Sequence, residues 1–316
     1  MITFLASPKP FKGIAKEQQY RAIRSWLAAA KDVEVILYGD SDGIDEAGLD
    51  LGVQVVKQLD CAPSGIPYFG SIVGHAAKYG QHDFQVYLNC DILLSGIFEA
   101  MSLITLTQFL LIGQRIDLTE SVVMDFEESN WRQSLMQLAI EGKAILHSPT
   151  GIDYFAFRRG MWQDIPSIII GRGGYDNALL AYCMRNQIPI VDGTLAVAAL
   201  HQFHDYGHMK GGLKVVMEGS DAMHNIRIGG VKRSPPLVSD SGYILKNSQV
   251  ISCSCRGDWL RRAELKLRYE MGWLKTALVL RLIWRGINGV GIILKHKLSI
   301  VEVMYEFAST HLTEVN

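Results

Sequence analysis

The sequence predicts an α/β fold in which helices flank a mostly parallel sheet. Between residues 2 and 88, strand-like and helix-like segments alternate, as they do in proteins built from strand–helix–strand units. The run Phe84–Leu88 combines aromatic and β-branched residues and ends in polar ones, which is typical of a buried strand. The chain has 316 residues, 48% hydrophobic and 20% charged, so it can bury a large core and belongs with globular rather than disordered proteins.

The first part of the chain supplies the alternating units. Residues 2–6 are expected to form a strand, because the N-terminal stretch is too short and too poor in positive charge for a signal peptide. An amphipathic helix is predicted at residues 16–31, with four apolar side chains on one face: Tyr20, Ile23, Trp26 and Leu27. The other elements predicted here are strands at 33–38, 52–56 and 84–88 and a helix at 67–79.

The second part continues the alternation and ends in a segment of different composition. Its predicted helices are 97–106, 129–143 and 177–186, and its predicted strands are 109–113, a short aromatic strand within 150–160, 188–191 and 195–200. We expect a catalytic domain at 1–215, a closing segment at 216–250 and a basic helical extension at 251–316.

Polar residues follow two of the predicted strands. Asn89-Cys90-Asp91 comes directly after the central strand, at the edge where open α/β sheets bind ligands, and a divalent cation that bridges a diphosphate needs oxygen ligands there. Alternatively, Asn89 and Asp91 are ordinary turn formers. Arg115, at the end of a later strand, could hold a phosphate with two hydrogen bonds or pair with Asp117 or Glu120.

Two later segments carry further candidate site residues. Asp176 follows a glycine-rich loop at the start of a helix, where it could cap free amides or act as a general base toward an attacking hydroxyl. Three histidines, His201, His204 and His208, lie within eight residues at a strand exit. They are either ordinary histidines or metal ligands, and one histidine with Asp91 and diphosphate oxygens would suit Mn²⁺.

Taken in order, several segments resemble bacterial nucleotide-diphospho-sugar transferases of the GT-A glycosyltransferase fold. The resemblance covers residues 1–245 and is carried by these segments: Ala6-Ser7-Pro8, Tyr87-Leu-Asn-Cys-Asp-Ile92, Gly113-Gln-Arg-Ile-Asp117, Gly151-Ile-Asp-Tyr-Phe155, Tyr175-Asp-Asn177, His201 to His208, Glu218, Asn225 to Gly230 and Asp240 to Ile244. It implies transfer of a sugar, most naturally from a UDP-sugar, to an acceptor hydroxyl that belongs to a glycan or a lipid-linked molecule.

The resemblance also implies roles for individual residues. Asp91 would hold Mn²⁺ or Mg²⁺ on the diphosphate, in a D-x-D-like motif whose first acid is Asn89 here. His204, or alternatively His201 or His208, would complete the metal sphere, and Asp176 would be the catalytic base of an inverting enzyme. The remaining residues fall into a nucleotide group and a sugar or acceptor group: Ala6, Ser7, Asp40, Arg115 and Arg172 in the first, and Asp153, Tyr154, Tyr175 and Asn177 in the second.

Two other functions stay open at this point. A sugar nucleotidyltransferase also opens with a strand and a lysine-containing loop, although the glycine-rich start of that group is absent before Gly13. A catalytically silent binding protein of the same fold is conceivable because of Asn89. Aromatic spacing does not indicate a nucleic-acid partner.

The C-terminal region differs from the rest in charge. Residues 256–297 contain ten basic and three acidic residues, whereas the whole chain has a net charge of −1. Apolar residues there repeat at helical spacing, but the basic residues make a poor bilayer span. The extension is therefore expected either to lie on an anionic membrane surface or to pack on the body or a second subunit.

Cysteine usage indicates the compartment. The five cysteines are an odd number and form no C-x-x-C pair, so they indicate neither a disulfide framework nor a zinc knuckle. We expect a cytoplasmic protein, peripheral at the inner face of the membrane if the extension binds lipid.

Overall fold

The computed structural model describes residues 1–122, 131–203, 212–253, 259–288 and 299–311. Its strands, in chain order, are β1 Ile2–Ala6, β2 Val33–Tyr38, β3 Gln54–Val56, β4 Phe84–Leu88, β5 Ile92–Ser95, β6 Leu110–Ile112, β7 Ile116–Leu118, β8 Ala144–Leu146, β9 Tyr154–Arg158, β10 Ile190–Asp192, β11 Ala198–His201, β12 Tyr243–Lys246 and β13 Gln249–Ser252. Its α-helices are α1 Gly13–Leu27, α2 Ile44–Leu51, α3 Phe69–Tyr79, α4 Ile97–Ser102, α5 Trp131–Ile140, α6 Tyr175–Arg185, α7 Gly212–Glu218, α8 Ser220–Gly229, α9 Trp259–Leu265, α10 Leu274–Asn288 and α11 Ile300–His311.

A large sheet, nine-stranded within the described ranges, forms the centre of the molecule, in the order β13-β12-β10-β6-β9-β4-β1-β2-β3. The pairs β1–β2, β1–β4, β2–β3, β6–β10 and β10–β12 are parallel. Only β9, inserted between β4 and β6, and the edge strand β13 run against the others in the described sheet. The predicted α/β architecture, a mostly parallel sheet flanked by helices, is confirmed.

Helices cover both faces of this sheet because its strands alternate their side chains between two cores. In β1, Phe4 packs on one face with Trp26 of α1, the ring centroids 5.9 Å apart. The next residue, Leu5, belongs to the core on the opposite face, together with Phe69 of α3. Both strand residues are fully buried, so the apolar run predicted from sequence reflects burial on two sides.

A second, smaller sheet adjoins the large one, with the order β5-β11-β7-β8. β11 pairs antiparallel to β5 and parallel to β7, so His201 is paired with Ile92 on one side and Asp117 on the other. The sequence predicted a strand at 195–200 but left β5, β7 and β8 unassigned. This small sheet is what brings the strand after residue 195 next to the end of the central strand β4.

Several predicted boundaries are wrong by a few residues. α1 begins at Gly13 rather than at residue 16 and ends at Leu27 rather than 31, and α4 ends at Ser102 rather than 106. α2 was not predicted at all. It is a short helix bounded by Gly43 and Gly52, both with positive φ of 81° and 66°, and such glycine ends are hard to separate from a turn in sequence.

The helical extension is broken rather than continuous. α9 passes into a π-helical turn, Lys266–Glu270, and the chain reverses at Gly272, which has a φ of 69°, before α10 begins. In the sequence, apolar residues repeat at helical spacing from Trp259 to Leu278, which predicts one continuous helix. Gly272, with its left-handed backbone, interrupts that helix. Across the described ranges, the helices fall short of the length and apolarity that crossing a membrane requires.

The first part of the extension packs on the body through buried ion pairs. Glu264 is 1% exposed and accepts hydrogen bonds from Arg261 at 2.9 Å and Arg268 at 2.7 Å. Arg261 also donates to Asp240 at 2.8 Å, and Tyr269 donates to the carbonyl of Ser234 at 2.8 Å. Of the two expectations for the basic extension, packing on the body therefore describes residues 259–270.

Candidate active site

The candidate site lies where the ends of four strands meet at one edge of the large sheet. β1, β4 and β6 are parallel and end at this edge, whereas the antiparallel β9 begins there. The residues just outside the strand ends are Lys9 after β1, Asn89 and Asp91 after β4, Arg115 after β6 and Asp153 before β9. This is the edge at which open α/β sheets bind ligands.

Asp153 is the centre of a hydrogen-bond cluster. Its side chain is 8% exposed and accepts from Arg115 Nη1 at 3.0 Å and from Asn89 Nδ2 at 2.6 Å. The guanidinium of Arg115 also lies 2.8 Å from Asp117 Oδ1, so it bridges two carboxylates. The pairing of Arg115 with Asp117 was one of the two roles considered from sequence, and the contact with Asp153 adds a second carboxylate.

Two histidines flank Asp117. His147 Nδ1 lies 2.6 Å from Asp117 Oδ2, and His201 Nδ1 lies 3.6 Å from Asp117 Oδ1. Burial alone would raise the pKa of Asp117, but the hydrogen bond with His147 and the charge of Arg115 outweigh it and hold that pKa below its ordinary value. Asp117 is therefore an anion over the whole neutral range and orients both rings.

Asp91 faces the same crevice and contacts a lysine. Its Oδ2 lies 2.9 Å from Lys9 Nζ and 4.0 Å from His201 Nε2, and its side chain is 10% exposed. The carbonyl of Asp91 accepts from the backbone and side-chain nitrogens of Gln202 at 3.3 and 3.2 Å. The carboxylate thus lies beside His201, one of the alternatives to His204 as a predicted metal ligand, and beside Lys9, which the sequence did not single out.

Tyr175 and Asp176 approach the cluster from α6. Gly174, with a φ of 78°, starts this helix, and the hydroxyl of Tyr175 lies 3.5 Å from Asn89 Oδ1. Burial raises the pKa of Asp176 to about 6, the charge of Asp153 adds to this rise, and the backbone amides of Asn177 and Asp176 oppose it. A half-buried carboxylate with this pKa is ionised at neutral pH yet basic enough to accept a proton.

The other predicted residues lie around this cluster with separate partners. Ser7 is half-buried at the end of β1, directly after the buried Ala6, and its Oγ is close to Gly39 at the end of β2. The exposed Asp40 forms an ion pair with Lys57 at 2.9 Å. These residues line the β1–β2 part of the sheet edge, where the nucleotide was expected.

Three further predicted residues are engaged elsewhere in the fold. Arg172 lies 3.9 Å from Asp221 of α8, and Asn177 donates to the carbonyl of Pro236 at 2.9 Å. Tyr154 is fully buried in the core. Their predicted contacts with donor or acceptor stay predictions. His204 and His208, predicted as metal ligands, lie outside the described residues.

Two of the residues predicted to hold a divalent cation or its diphosphate, Asn89 and Asp91, contact other side chains in the described structure. Asn89 directs its amide nitrogen to Asp153, and Asp91 directs Oδ2 to Lys9. Within the described ranges, no three side chains among His, Cys, Asp and Glu are arranged to hold a metal ion. A divalent cation on a nucleotide takes only one or two protein ligands besides the phosphates and water, so Asp91 and His201 would have to be completed by diphosphate oxygens.

Sequence reasoning missed Lys9, His147 and the buried amide Gln19. Lys9 stands directly after the first strand, at the same sheet edge as Asp91, so its position relative to the strand end was the available signal. No signal in the sequence indicated His147, because this residue reaches Asp117 through the pairing of β7 with β8, which was not predicted. Gln19 looked like an ordinary polar residue of an amphipathic helix.

No protein-family model matches the sequence, and no curated protein matches it either. Among solved structures, glucosyl-3-phosphoglycerate synthase from Mycobacterium tuberculosis in complex with phosphoglyceric acid matches 74% of this chain and 81% of that chain, with 14% identity and a TM-score of 0.44. The same enzyme in complex with Mn²⁺, UDP-glucose and phosphoglyceric acid matches with 15% identity and a TM-score of 0.42.

A further similar structure is S. aureus TarS 1-349. It shares 17% identity, covers 40% of this chain and 40% of its own length, and has a TM-score of 0.29. The present chain therefore spans about two fifths of that structure.

Proposed function

We propose that this chain is a glycosyltransferase, of the hexosyltransferase class, that moves a sugar from a UDP-sugar to an acceptor hydroxyl with inversion. The supporting observation is that one sheet edge carries both cationic side chains and a separate carboxylate with a raised pKa. Lys9 and Arg115 provide positive charge beside the ends of β1 and β6, while Asp176 enters from α6 as a separate carboxylate whose pKa is about 6.

In the proposed reaction, the acceptor oxygen forms a bond to the anomeric carbon while the bond from that carbon to the diphosphate oxygen breaks. The acceptor proton passes to Asp176, and the electron pair of the broken bond leaves with the nucleotide diphosphate. Negative charge grows on that leaving group, and fixed cationic side chains lower the barrier by stabilising it. Burial, with a smaller contribution from the charge of Asp153, keeps the pKa of Asp176 raised, which suits proton uptake near neutral pH.

The Asp153 cluster would position the reacting groups. Asn89 and Arg115 both donate to Asp153, and the Tyr175 hydroxyl donates to Asn89 Oδ1, so the end of β4, the residues after β6, the start of β9 and the start of α6 are connected. Such fixed geometry matters because small displacements of a catalytic group cost large factors in rate. The predicted Mn²⁺ or Mg²⁺ stays a prediction, and His204 and His208, which could add ligands to Asp91, lie outside the described residues.

The experiment that tests this proposal is a ligand panel followed by a turnover assay. Thermal unfolding would be measured with UDP-, GDP- and dTDP-sugars, each with Mn²⁺ and with EDTA. A ligand at 100 times its dissociation constant adds about 2.7 kcal/mol of stability. We expect a UDP-sugar to stabilise the protein and to release UDP slowly in the absence of acceptor. Pyrophosphate release from UTP and a sugar phosphate would instead identify a nucleotidyltransferase.

We also propose that α10 rests on an anionic membrane surface at the cytoplasmic face, near a lipid-linked acceptor. Large apolar side chains remain exposed along the second part of the extension: Met271, Trp273, Leu274, Val279, Leu282 and Ile283, each 44% or more exposed. Lys275 is exposed among them. Apolar side chains next to basic ones on a short helix are the pattern of an interfacial helix.

Vesicle co-sedimentation tests this second proposal. The protein should sediment with vesicles that contain phosphatidylglycerol, less with phosphatidylcholine alone, and less at high salt because salt screens surface charge. Leu282→Glu should weaken binding by about tenfold. Leu49→Glu is the control, since Leu49 is also an exposed leucine, at 84% against 61% for Leu282, and lies on α2. A dimer in solution that Leu282→Glu converts to a monomer, without vesicle binding, would contradict the membrane proposal.

A further inference from the structure

Hydrogen bonds with a buried side chain fix the position of the Lys9 backbone. Its backbone N–H donates to Gln19 Oε1 at 2.8 Å, and its carbonyl accepts from Gln19 Nε2 at 3.0 Å. Gln19 is 2% exposed on α1, so one buried amide satisfies both backbone groups of Lys9. Pro8 and Pro10 on either side restrict the backbone further. The backbone of the loop is therefore fixed at Lys9, and the lysine side chain extends from this fixed point.

That side chain reaches from solvent to Asp91. The Lys9 side chain is 46% exposed, whereas that of Asp91 is 10% exposed, and the ammonium lies 2.9 Å from Oδ2. An ammonium group on a flexible stem is a common phosphate binder, acting as a point charge with three donors. Lys9 thus stands at the carboxyl edge of β1 and β4 with its charge accessible to a ligand.

The other carboxylates of the cluster already have basic partners. Asp117 is paired with Arg115 and His147, and Asp153 with Arg115. Lys9 contacts Asp91 Oδ2, and Asn89 directs its amide nitrogen to Asp153. The chain therefore places one positive charge of its own next to Asp91, at the position where the resemblance implies the divalent cation.

We propose that Lys9 binds the diphosphate of the nucleotide and that nucleotide binding by this chain does not require a divalent cation. Asp91 acts here as the positioning partner of Lys9, not as a metal ligand. This inference rests on the proposed function, because it concerns the diphosphate of the same donor.

The test measures UDP affinity by calorimetry, in EDTA and in Mn²⁺, for the wild type and four variants. The wild type should bind UDP with similar affinity in both. Lys9→Met should weaken binding in EDTA by about tenfold or more, because Asp91 then faces the phosphates without its partner. Lys9→Arg should retain most of the affinity, since it keeps the charge.

Asp91→Asn separates the two roles of the carboxylate. If Asp91 held an essential metal, this variant would lose an affinity for UDP that the wild type has only in Mn²⁺, whereas we expect the variant to bind UDP with the same affinity in Mn²⁺ and in EDTA. Lys12→Met is the matched control, because Lys12 lies in the same loop but pairs with the exposed Asp42. Its UDP affinity should stay within about twofold of the wild type, a difference far below one charged hydrogen bond.

The outcomes distinguish this inference from the function on which it rests. Wild-type binding of UDP in Mn²⁺ but not in EDTA would overturn the role of Lys9 and leave the glycosyltransferase proposal standing. Unchanged affinity of Lys9→Met in EDTA would do the same. If the wild type bound neither UDP nor any UDP-sugar in either condition, both proposals would fall. Thermal unfolding of each variant shows that it is folded.

Discussion

At the scale of single residues, the site depends on carboxylates that share a crevice but differ in their surroundings. Asp117 contacts Arg115 and His147, which keep its pKa low, whereas burial raises the pKa of the half-buried Asp176 to about 6 and the charge of Asp153 adds to this rise. Two acids with pKa values pushed apart by their environments are a recurrent sign of divided roles in catalysis. This difference supports the proposed mechanism, in which Asp176 is the proton acceptor and Asp117 a fixed anion.

Asp176→Asn tests this assignment. The variant should lose turnover by a factor of about 10²–10⁴, the usual contribution of a general base, and keep its affinity for the donor. In the wild type, kcat/KM should rise with pH and level off above about pH 6, because the base must be ionised. A variant that retains turnover would place the base elsewhere.

The same raised pKa has a consequence for stability. A carboxyl group whose pKa is higher in the folded state than in the unfolded chain binds its proton more tightly when folded, so its contribution favours folding at low pH. That contribution is lost as the pH rises from about 4 toward about 6, where the folded group titrates. Asp176→Asn should therefore be more stable than the wild type at pH 7, with the difference vanishing near pH 4 in urea unfolding.

At the scale of elements, the turn after β6 sets the position of Arg115. A Cβ on Gly113 would lie 2.5 Å from the hydroxyl of Tyr154 and 3.0 Å from the backbone nitrogen of Thr194. Gln114 N–H donates to Thr194 Oγ1 at 3.0 Å, and Gln114 Nε2 donates to the carbonyl of His147 at 2.6 Å. The absence of a side chain at Gly113 thus lets β6, β9 and the loop after β10 approach closely enough to hold Arg115.

Gly113→Ala should destabilise the protein by about 1–3 kcal/mol, since the added methyl overpacks this contact. The buried Tyr154 hydroxyl has no hydrogen-bond partner among the described side chains, so Tyr154→Phe should be neutral or stabilising. Tyr154→Phe should also recover part of the loss caused by Gly113→Ala, because it removes the atom that the methyl would meet. If the effects of the two substitutions on the free energy of unfolding were additive in the double variant, as measured by denaturant unfolding, this close contact would be contradicted.

At the scale of the whole molecule, the buried carboxylate of Glu264 holds the extension on the body. Glu264 accepts from Arg261, Arg268 and Ser234, and it is 1% exposed. Since all these donors converge on one carboxylate, its removal leaves buried cations without their counter-charge. The closing segment around Asp240 and the helix α9 are therefore expected to unfold together.

Glu264→Gln should destabilise the protein by about 3–5 kcal/mol, the usual cost of removing one partner from a buried ion pair. Glu270→Gln is the control, because Glu270 is an exposed acid of the same segment and its replacement should change stability by about 0.5 kcal/mol or less. Limited proteolysis would report whether α9 detaches first. Equal stability of the two variants would mean that the extension is held by apolar contacts alone.

The sequence also determined much of the local structure. β2 and β4 have the predicted bounds, residues 33–38 and 84–88, because a buried strand of a parallel sheet is a continuous apolar run with polar ends. The strand ends in turn located Asp91 and Arg115, since polar residues directly after such strands lie at one edge. Asp176 could be proposed as a candidate site residue from the sequence, because it follows a glycine-rich loop at the start of a helix.

Only the tertiary structure decided how these residues are paired. Lys9 meets Asp91, Arg115 bridges Asp117 and Asp153, and His201 lies beside β7 because strands distant in sequence become neighbours. Such pairings depend on sheet order and on the small second sheet, and apolar periodicity carries no information about either. The sequence thus determined which residues stand at the edge of the sheet, and the fold decided which charges neutralise one another there.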